Sequence, residues 1–145
     1  MPFFACTMML NQGSIVRPGN WGRIVRLIGP AHRDWQREII LEDIRKTEFP
    51  ILPSRLESAF VIDELDEAQY YTANFAKLSL LYEVALIDDG APTHEADWKG
   101  TGPYDNTNEW ARRYWRGDVV PHPETTLKLR ERLTLSRLRI ERQVV

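Results

Sequence analysis

Apolar residues in this chain fall in short runs between turn formers, which predicts several strands with a few helices among them. Ser79 to Ile87 is nearly continuous in hydrophobicity and stops at Asp88-Asp89-Gly90, so it reads as a central strand. Ala59-Phe60-Val61-Ile62 reads as a second buried strand that needs cover on both faces. It runs directly into a helix, cappable by Asp66, that gathers Ala68, Tyr71, Thr72 and Phe75 on roughly one face. Phe3 to Leu10 reads as a first strand, since no turn former intervenes before Asn11-Gln12-Gly13.

From Asp34 to about Glu48 the period becomes helical. Trp35, Ile39, Ile40, Leu41 and Ile44 form the expected buried stripe, with Arg37, Glu38, Glu42, Asp43 and Lys46 outside it. Pro50 and Pro53 hold the following segment to Arg55 extended. Asn106-Thr-Asn-Glu109 resembles a capping box and predicts a helix with Trp110, Tyr114 and Trp115 inward, stopped by Gly117. Leu127 and Leu129, then Leu133 and Leu135, alternate with polar residues, which predicts a hairpin with a bulge where the phase changes before Leu138.

Two stretches carry no periodic pattern. Ser14 to Arg26 contains Pro18-Gly19 and Gly22 between the short extended pieces Ile15-Val16 and Ile24-Val25, so a glycine-rich loop presenting Trp21 and Arg23 is expected. Such a loop lets backbone approach a ligand closely, while Arg23 offers a planar fork to phosphate. Ile87 to Asn106 is broken by Gly90, Pro92, Gly100, Gly102 and Pro103 and reads as one long loop. Its His94 and Asp97 have ligand chemistry, but without a Cys pair or a clustered third ligand they make a weak metal signal, and no metal is expected.

Composition narrows the class. The 145 residues fit one domain spanning the chain, and 43% hydrophobic with 28% charged residues describes a soluble globular protein. A net charge of −2 gives no general attraction to nucleic acid or membrane, although the last twenty residues hold six basic side chains against Glu131 and Glu141. A single cysteine, Cys6, excludes an intrachain disulfide and is simplest in a reducing cytoplasm. No apolar run approaches the roughly 20 residues of a membrane helix. Phe60 and Tyr71, at a strand and on the helix after it, would approach across a slot able to take a flat heteroaromatic ring, with core aromatics as the plainer reading.

Taken in order, these pieces resemble the ADP-ribosyltransferases, with the nearest echo in the catalytic domains of poly-ADP-ribose polymerases. Ser58 to Tyr71 resembles their Gly-Ile-Tyr-Phe-Ala-Asp strand and the helix ending in Tyr, and Leu80 to Leu86 resembles the strand that follows. Pro123 to Leu129 and Leu133 to Ile140 resemble the last strands, where a catalytic Glu opens a strand. The resemblance covers about half the chain and implies an α+β fold with a split mixed β-sheet core and flanking short helices. It implies NAD as co-substrate, Glu124 as the catalytic carboxylate, and Tyr71 stacking on nicotinamide with Phe60 and Ser58 nearby. Cys6 and Thr7 would lie on the strand whose backbone holds the nicotinamide amide, and Arg23 and Arg55 would meet the pyrophosphate. A carboxylate near the ribose 2-hydroxyl would interact more strongly as the nicotinamide–ribose bond opens through an oxocarbenium-like state.

The sequence also departs from that family. Phe4-Ala-Cys-Thr7 offers no His or Arg to the ribose, the helical Ser of the family falls at Ala68, and His122 stands two residues before Glu124. Two classes therefore stay open. One is a mono-ADP-ribosyltransferase modifying a protein or nucleic acid, a toxin or phage-defence effector with an antitoxin protein as possible partner. The other is a non-catalytic module of the same fold that binds a protein or RNA. An RNA 2′-phosphotransferase is a third relative, but the basic and His-rich pattern expected of it is missing.

Overall fold

A computed structural model of the chain describes residues 1–100 and 106–144. The order of elements is β1 (Phe3–Cys6), β2 (Ile15–Val16), α1 (Asn20–Ile28), α2 (Trp35–Glu48), β3 (Ala59–Val61) and α3 (Leu65–Phe75). There follow β4 (Leu80–Leu86), β5 (Thr93–Asp97), α4 (Glu109–Arg116), β6 (Arg130–Thr134) and β7 (Leu138–Val144). Single 3-10 turns at Gly29–Ala31 and Arg55–Glu57 precede α2 and β3. The fold is α+β. The strands make two sheets, one ordered β1-β4-β7-β2 and the other β3-β6-β5.

Every strand pairing among the described residues is antiparallel, where a mixed sheet was expected. The β3-α3-β4 unit passes from one sheet to the other, so β3 and β4 do not pair. The two sheets meet where Phe3 and Ile62 exchange backbone hydrogen bonds of 2.8 and 2.9 Å.

As its hydrophobicity predicts, β4 is central, flanked by β1 and β7. In β3, Ala59 and Val61 face a core with Tyr82, Val84, Leu138 and Ile140, while Phe60 packs toward a second core built on Leu41, Trp110, Tyr114 and Trp115. That alternation is the cover on both faces that the run required. The inward face of α4 is as predicted, and Trp115 Nε1 donates to the carbonyl of Leu41 at 2.8 Å, fixing α4 to α2.

Several sequence expectations are revised. The first strand ends at Cys6, not Leu10, so Thr7 lies beyond it and exposed. Ile24 and Val25 are not a short strand: Asn20 to Ile28 is helical, and Gly22 serves close packing instead of a turn. The expected loop at Ile87 to Asn106 contains the edge strand β5, whose polar alternation in Thr93-His-Glu-Ala-Asp97 hid it. Gly102 and Pro103 lie outside the described residues. No hairpin joins Leu127–Leu129 to Leu133–Leu135. The phase change before Leu138 marks the chain crossing from β6 in one sheet to β7 in the other. The Asn106 box does not cap α4 by a side chain, and Asn108 takes the N-cap at φ 57°.

Gly22 seats α1 against the strap before β3. A Cβ at this position would stand 1.8 Å from the Leu56 carbonyl oxygen, so only glycine permits the approach. In an exposed helix Gly→Ala gains roughly 1 kcal/mol. Here Gly22→Ala is expected to lose about 2 kcal/mol of unfolding free energy through forced displacement of α1, measurable as a lower urea midpoint at constant slope.

Candidate functional site

A cleft of about 730 Å³ opens where the two sheets part, between α1, the start of α2, β1, β3 and α3. Its lining combines a cationic set, Arg17, Arg33 and Arg37 with Asn20 and Trp21, and an aromatic set, Phe3, Phe4, Tyr71, Phe75 and Trp98. Arg55, Ser58, Phe60 and Glu131 line it as well.

Each element places its share for a local reason. Gly19, at φ 104°, turns the chain from β2 into α1, which begins without a side-chain cap and with no acidic residue in its first turn. The N-terminus of α1, the positive end of its helix dipole, thus lines the cleft through Gly19, Asn20 and Trp21. The residues of α3 one turn apart, Tyr71 and Phe75, both meet Trp98 edge to face, with ring centroids at 5.3 and 5.0 Å. Lys99 Nζ lies 4.5 Å from the centre of the Phe75 ring. Burial, with the negative charge of Glu131 adding to it, pushes the Tyr71 hydroxyl above its usual range, so Tyr71 presents a neutral phenol.

The middle of the cleft is an ionic knot. Arg55, 6% exposed, donates from Nε to both carboxylate oxygens of Glu38 at 3.1 and 3.0 Å and from Nη1 to Glu131 at 3.0 Å and to the Tyr114 hydroxyl at 2.6 Å. Its guanidinium also stacks 4.8 Å from the Phe60 ring centre. Trp21 Nε1 and Arg37 Nη2 each donate to Glu38 at 3.1 Å. Burial pulls Arg55 toward the neutral form, but Glu38, Tyr114 and Glu131 together hold it well above the usual arginine value. Burial also drives both glutamates up. In Glu38 the charges of Arg55 and Arg37 and the donated hydrogen bonds win, leaving it below its usual range; in Glu131 burial wins over Arg55, with Glu38 adding repulsion. The two carboxyls are therefore unequal, Glu38 held below and Glu131 above the ordinary glutamate range.

Six of the residues expected to contact NAD line this cleft: Cys6, Trp21, Arg55, Ser58, Phe60 and Tyr71. Arg55 lies buried, and the Ser58 hydroxyl is spent on the Ser54 carbonyl at 2.7 Å. Phe60 faces Arg55 and Tyr71 faces Trp98, so the expected two-ring slot is replaced by separate aromatic contacts within one cleft. Three expected residues are elsewhere. Thr7 is beyond β1, and Arg23 is on the exposed side of α1, bonded to Asn20 Oδ1 at 3.0 Å. Glu124 is 38% exposed, paired with Lys99 at 3.4 Å, and does not line the cleft. No strand begins at Glu124. The penultimate strand starts at Arg130, and the carboxylate near its opening is Glu131.

Glu131 had a signal in the sequence: with Leu129 and Leu133 it occupies one phase of a period-two pattern, and all three are buried. Glu38, expected outside the buried stripe of α2, is fully buried one turn from Leu41, and Glu42 is buried too. Arg17, Arg33 and Trp98 had no such mark. His94 and Asp97 fall on opposite faces of β5. His94 Nε2 bonds to the Tyr114 carbonyl at 2.9 Å, while Asp97 bonds to His122 at 2.9 Å and accepts the backbone N–H groups of Lys99, Gly100 and Val120. Asp97 thereby anchors the segment that carries Trp98. Among the described residues, no helix is long and apolar enough to cross a membrane.

Compared with known families, residues 6–129 match the one described as "Protein of unknown function (DUF2441)". No curated protein matches the chain.

Arg55→Met removes the only guanidinium bridging the two buried glutamates. It is expected to cost about 3–5 kcal/mol near pH 7. Without Arg55, Glu131 loses its charged partner and would bind a proton more tightly folded than unfolded, so the deficit shrinks as pH falls toward about 5. Urea unfolding at the two pH values reads it, and an equal deficit at both would refute this account of the knot.

Proposed function

The chain belongs to the DUF2441 family, and we propose that it is an NAD-dependent mono-ADP-ribosyltransferase that opens the nicotinamide–ribose bond and transfers ADP-ribose to a macromolecular acceptor, protein or nucleic acid. The observation that carries this reading is the position of Glu131. It stands near the opening of the penultimate strand, where the resemblance to ADP-ribosyltransferases calls for the catalytic carboxylate, and in a cleft lined by aromatic and cationic residues. Two sheets parting beside short helices support the corresponding split core.

The cleft fits a dinucleotide by its chemistry. Tyr71, Phe75 and Trp98 suit a flat heteroaromatic ring, and Arg17, Arg33 and Arg37, beside the N-terminus of α1, suit a pyrophosphate. Arg33 reaches solvent with only Asp34 near it, at 3.8 Å, so its charge is free to meet an anion. Arg55 instead holds Glu131. In the reaction the C1′–N bond breaks, its electron pair leaves on the nicotinamide nitrogen, and positive charge spreads over C1′ and the ring oxygen. The Glu131 carboxylate, close to that charge in a site of restricted water, strengthens its interaction as the bond opens. An acceptor nucleophile then bonds to C1′ and gives up its proton. The pocket offers no His or Arg from β1 to the ribose, so Glu131 and backbone must orient it.

Nicotinamide release from NAD, with protein, DNA and RNA acceptors supplied in turn, tests the proposal. Glu131→Gln is expected to lower release at least about 100-fold while leaving NAD affinity within a fewfold. Glu124→Gln should behave as the parent. Release unaffected by Glu131→Gln, or a parent protein that neither binds nor cleaves NAD with any acceptor, would refute the assignment and leave the non-catalytic binding module.

A further inference from the structure

Two carboxylates share one guanidinium in the cleft, and they are not equivalent. Glu38 is fully buried and accepts from Trp21, Arg37 and Arg55; Glu131, on β6, has Arg55 as its charged partner. From this arrangement we infer that Glu38 is a positioning residue for Glu131: acting through Arg55, it sets both where the Glu131 carboxylate points and how readily that carboxylate ionises. The inference rests on Glu131 as the reactive carboxylate of the proposed transferase.

The positional half follows from the shape of arginine. A guanidinium is a rigid fork, and Glu38 binds its Nε edge at 3.1 and 3.0 Å, which leaves Nη1 aimed at Glu131 and Tyr114. Glu38 in turn cannot swing, because α2 is fixed by Trp115 to α4 and its carboxylate is held by Trp21. The charge half follows from counting signs. Arg55 is one positive charge between two negative ones, and Glu38 takes the larger part of it. The titratable groups facing Glu131 are Arg55, Glu38 and Arg37 from α2, Tyr114 from α4 and Tyr71 from α3. Its neighbour on β5 is Ala96, which adds no charge. Burial holds Tyr114 and Tyr71 neutral, so the balance is decided by the arginines and Glu38. Neutralising Glu38 would give the whole of Arg55 to Glu131 and let it ionise at lower pH.

The experiment is a carboxyl-carbon NMR titration of glutamate-labelled protein, the Glu131 resonance being identified by its loss in Glu131→Gln. Glu38→Gln is expected to lower the Glu131 midpoint by about one pH unit or more, and to move the acid limb of nicotinamide release by the same amount. A folded Glu38→Gln protein whose Glu131 midpoint is unchanged overturns the inference. Should Glu38→Gln not fold, the parent protein decides: Glu38 must titrate below and Glu131 above the ordinary glutamate range, and coincident midpoints overturn it. Because the titration needs no turnover, it separates this inference from the transferase assignment. A shifted midpoint in a protein that never cleaves NAD would sink only the latter.

Discussion

A guanidinium taken out of water must be matched by charge, and in this protein that requirement organises three layers of structure around Arg55. Its partners come from α2, α4 and β6 and lie up to 76 residues from it in the chain, so the ion pairs hold the second sheet to its covering helices. Deleting any partner leaves another buried charge behind, which is why such a knot is costly to alter although its net gain over apolar packing is small. It also explains how a buried charged side chain can line the cleft beside its aromatic residues. The stack of Arg55 on Phe60 supplies part of the cover that the missing water would have given.

Charge on the outer face of the second sheet is managed differently. Arg130 is bound to Glu67 and Arg132 to Asp63 and Glu95, so the basic residues that stood out near the C-terminus are paired with the acidic stretch of residues 57–69 and with β5. Arg137 pairs with Asp88 and holds that carboxyl down to about 2, and Arg142 pairs with Glu83. The two blocks of opposite charge are complementary surfaces of one chain, and the basic C-terminus loses most of its force as a nucleic-acid signal.

What could be read in advance was whatever local periodicity controls. The central strand β4, the buried run of β3, the helix α2 and the inward aromatics of α4 each satisfy a pattern that their own residues repeat. The cleft followed in part, because Phe60 and Tyr71 are fixed by the strand and helix that carry them. Glu124 illustrates the limit. Alternating leucines predict a strand from about this position, but the ladder begins six residues later, and alternation alone does not say where pairing starts. Polar β5 and the switch of sheet between β6 and β7 depend on partners distant in sequence, which no local pattern encodes.

The missing side chain at Gly22 reaches beyond packing. Because α1 rests directly on the Leu56 backbone, next to Arg55, the wall that bears Trp21 and the buried cation behind it form one rigid block. A guest in the gap is met on one side by a wall whose position the Leu56 backbone sets, and on the other by Tyr71 and Phe75 in edge-to-face contact with Trp98, on a segment that Asp97 fastens.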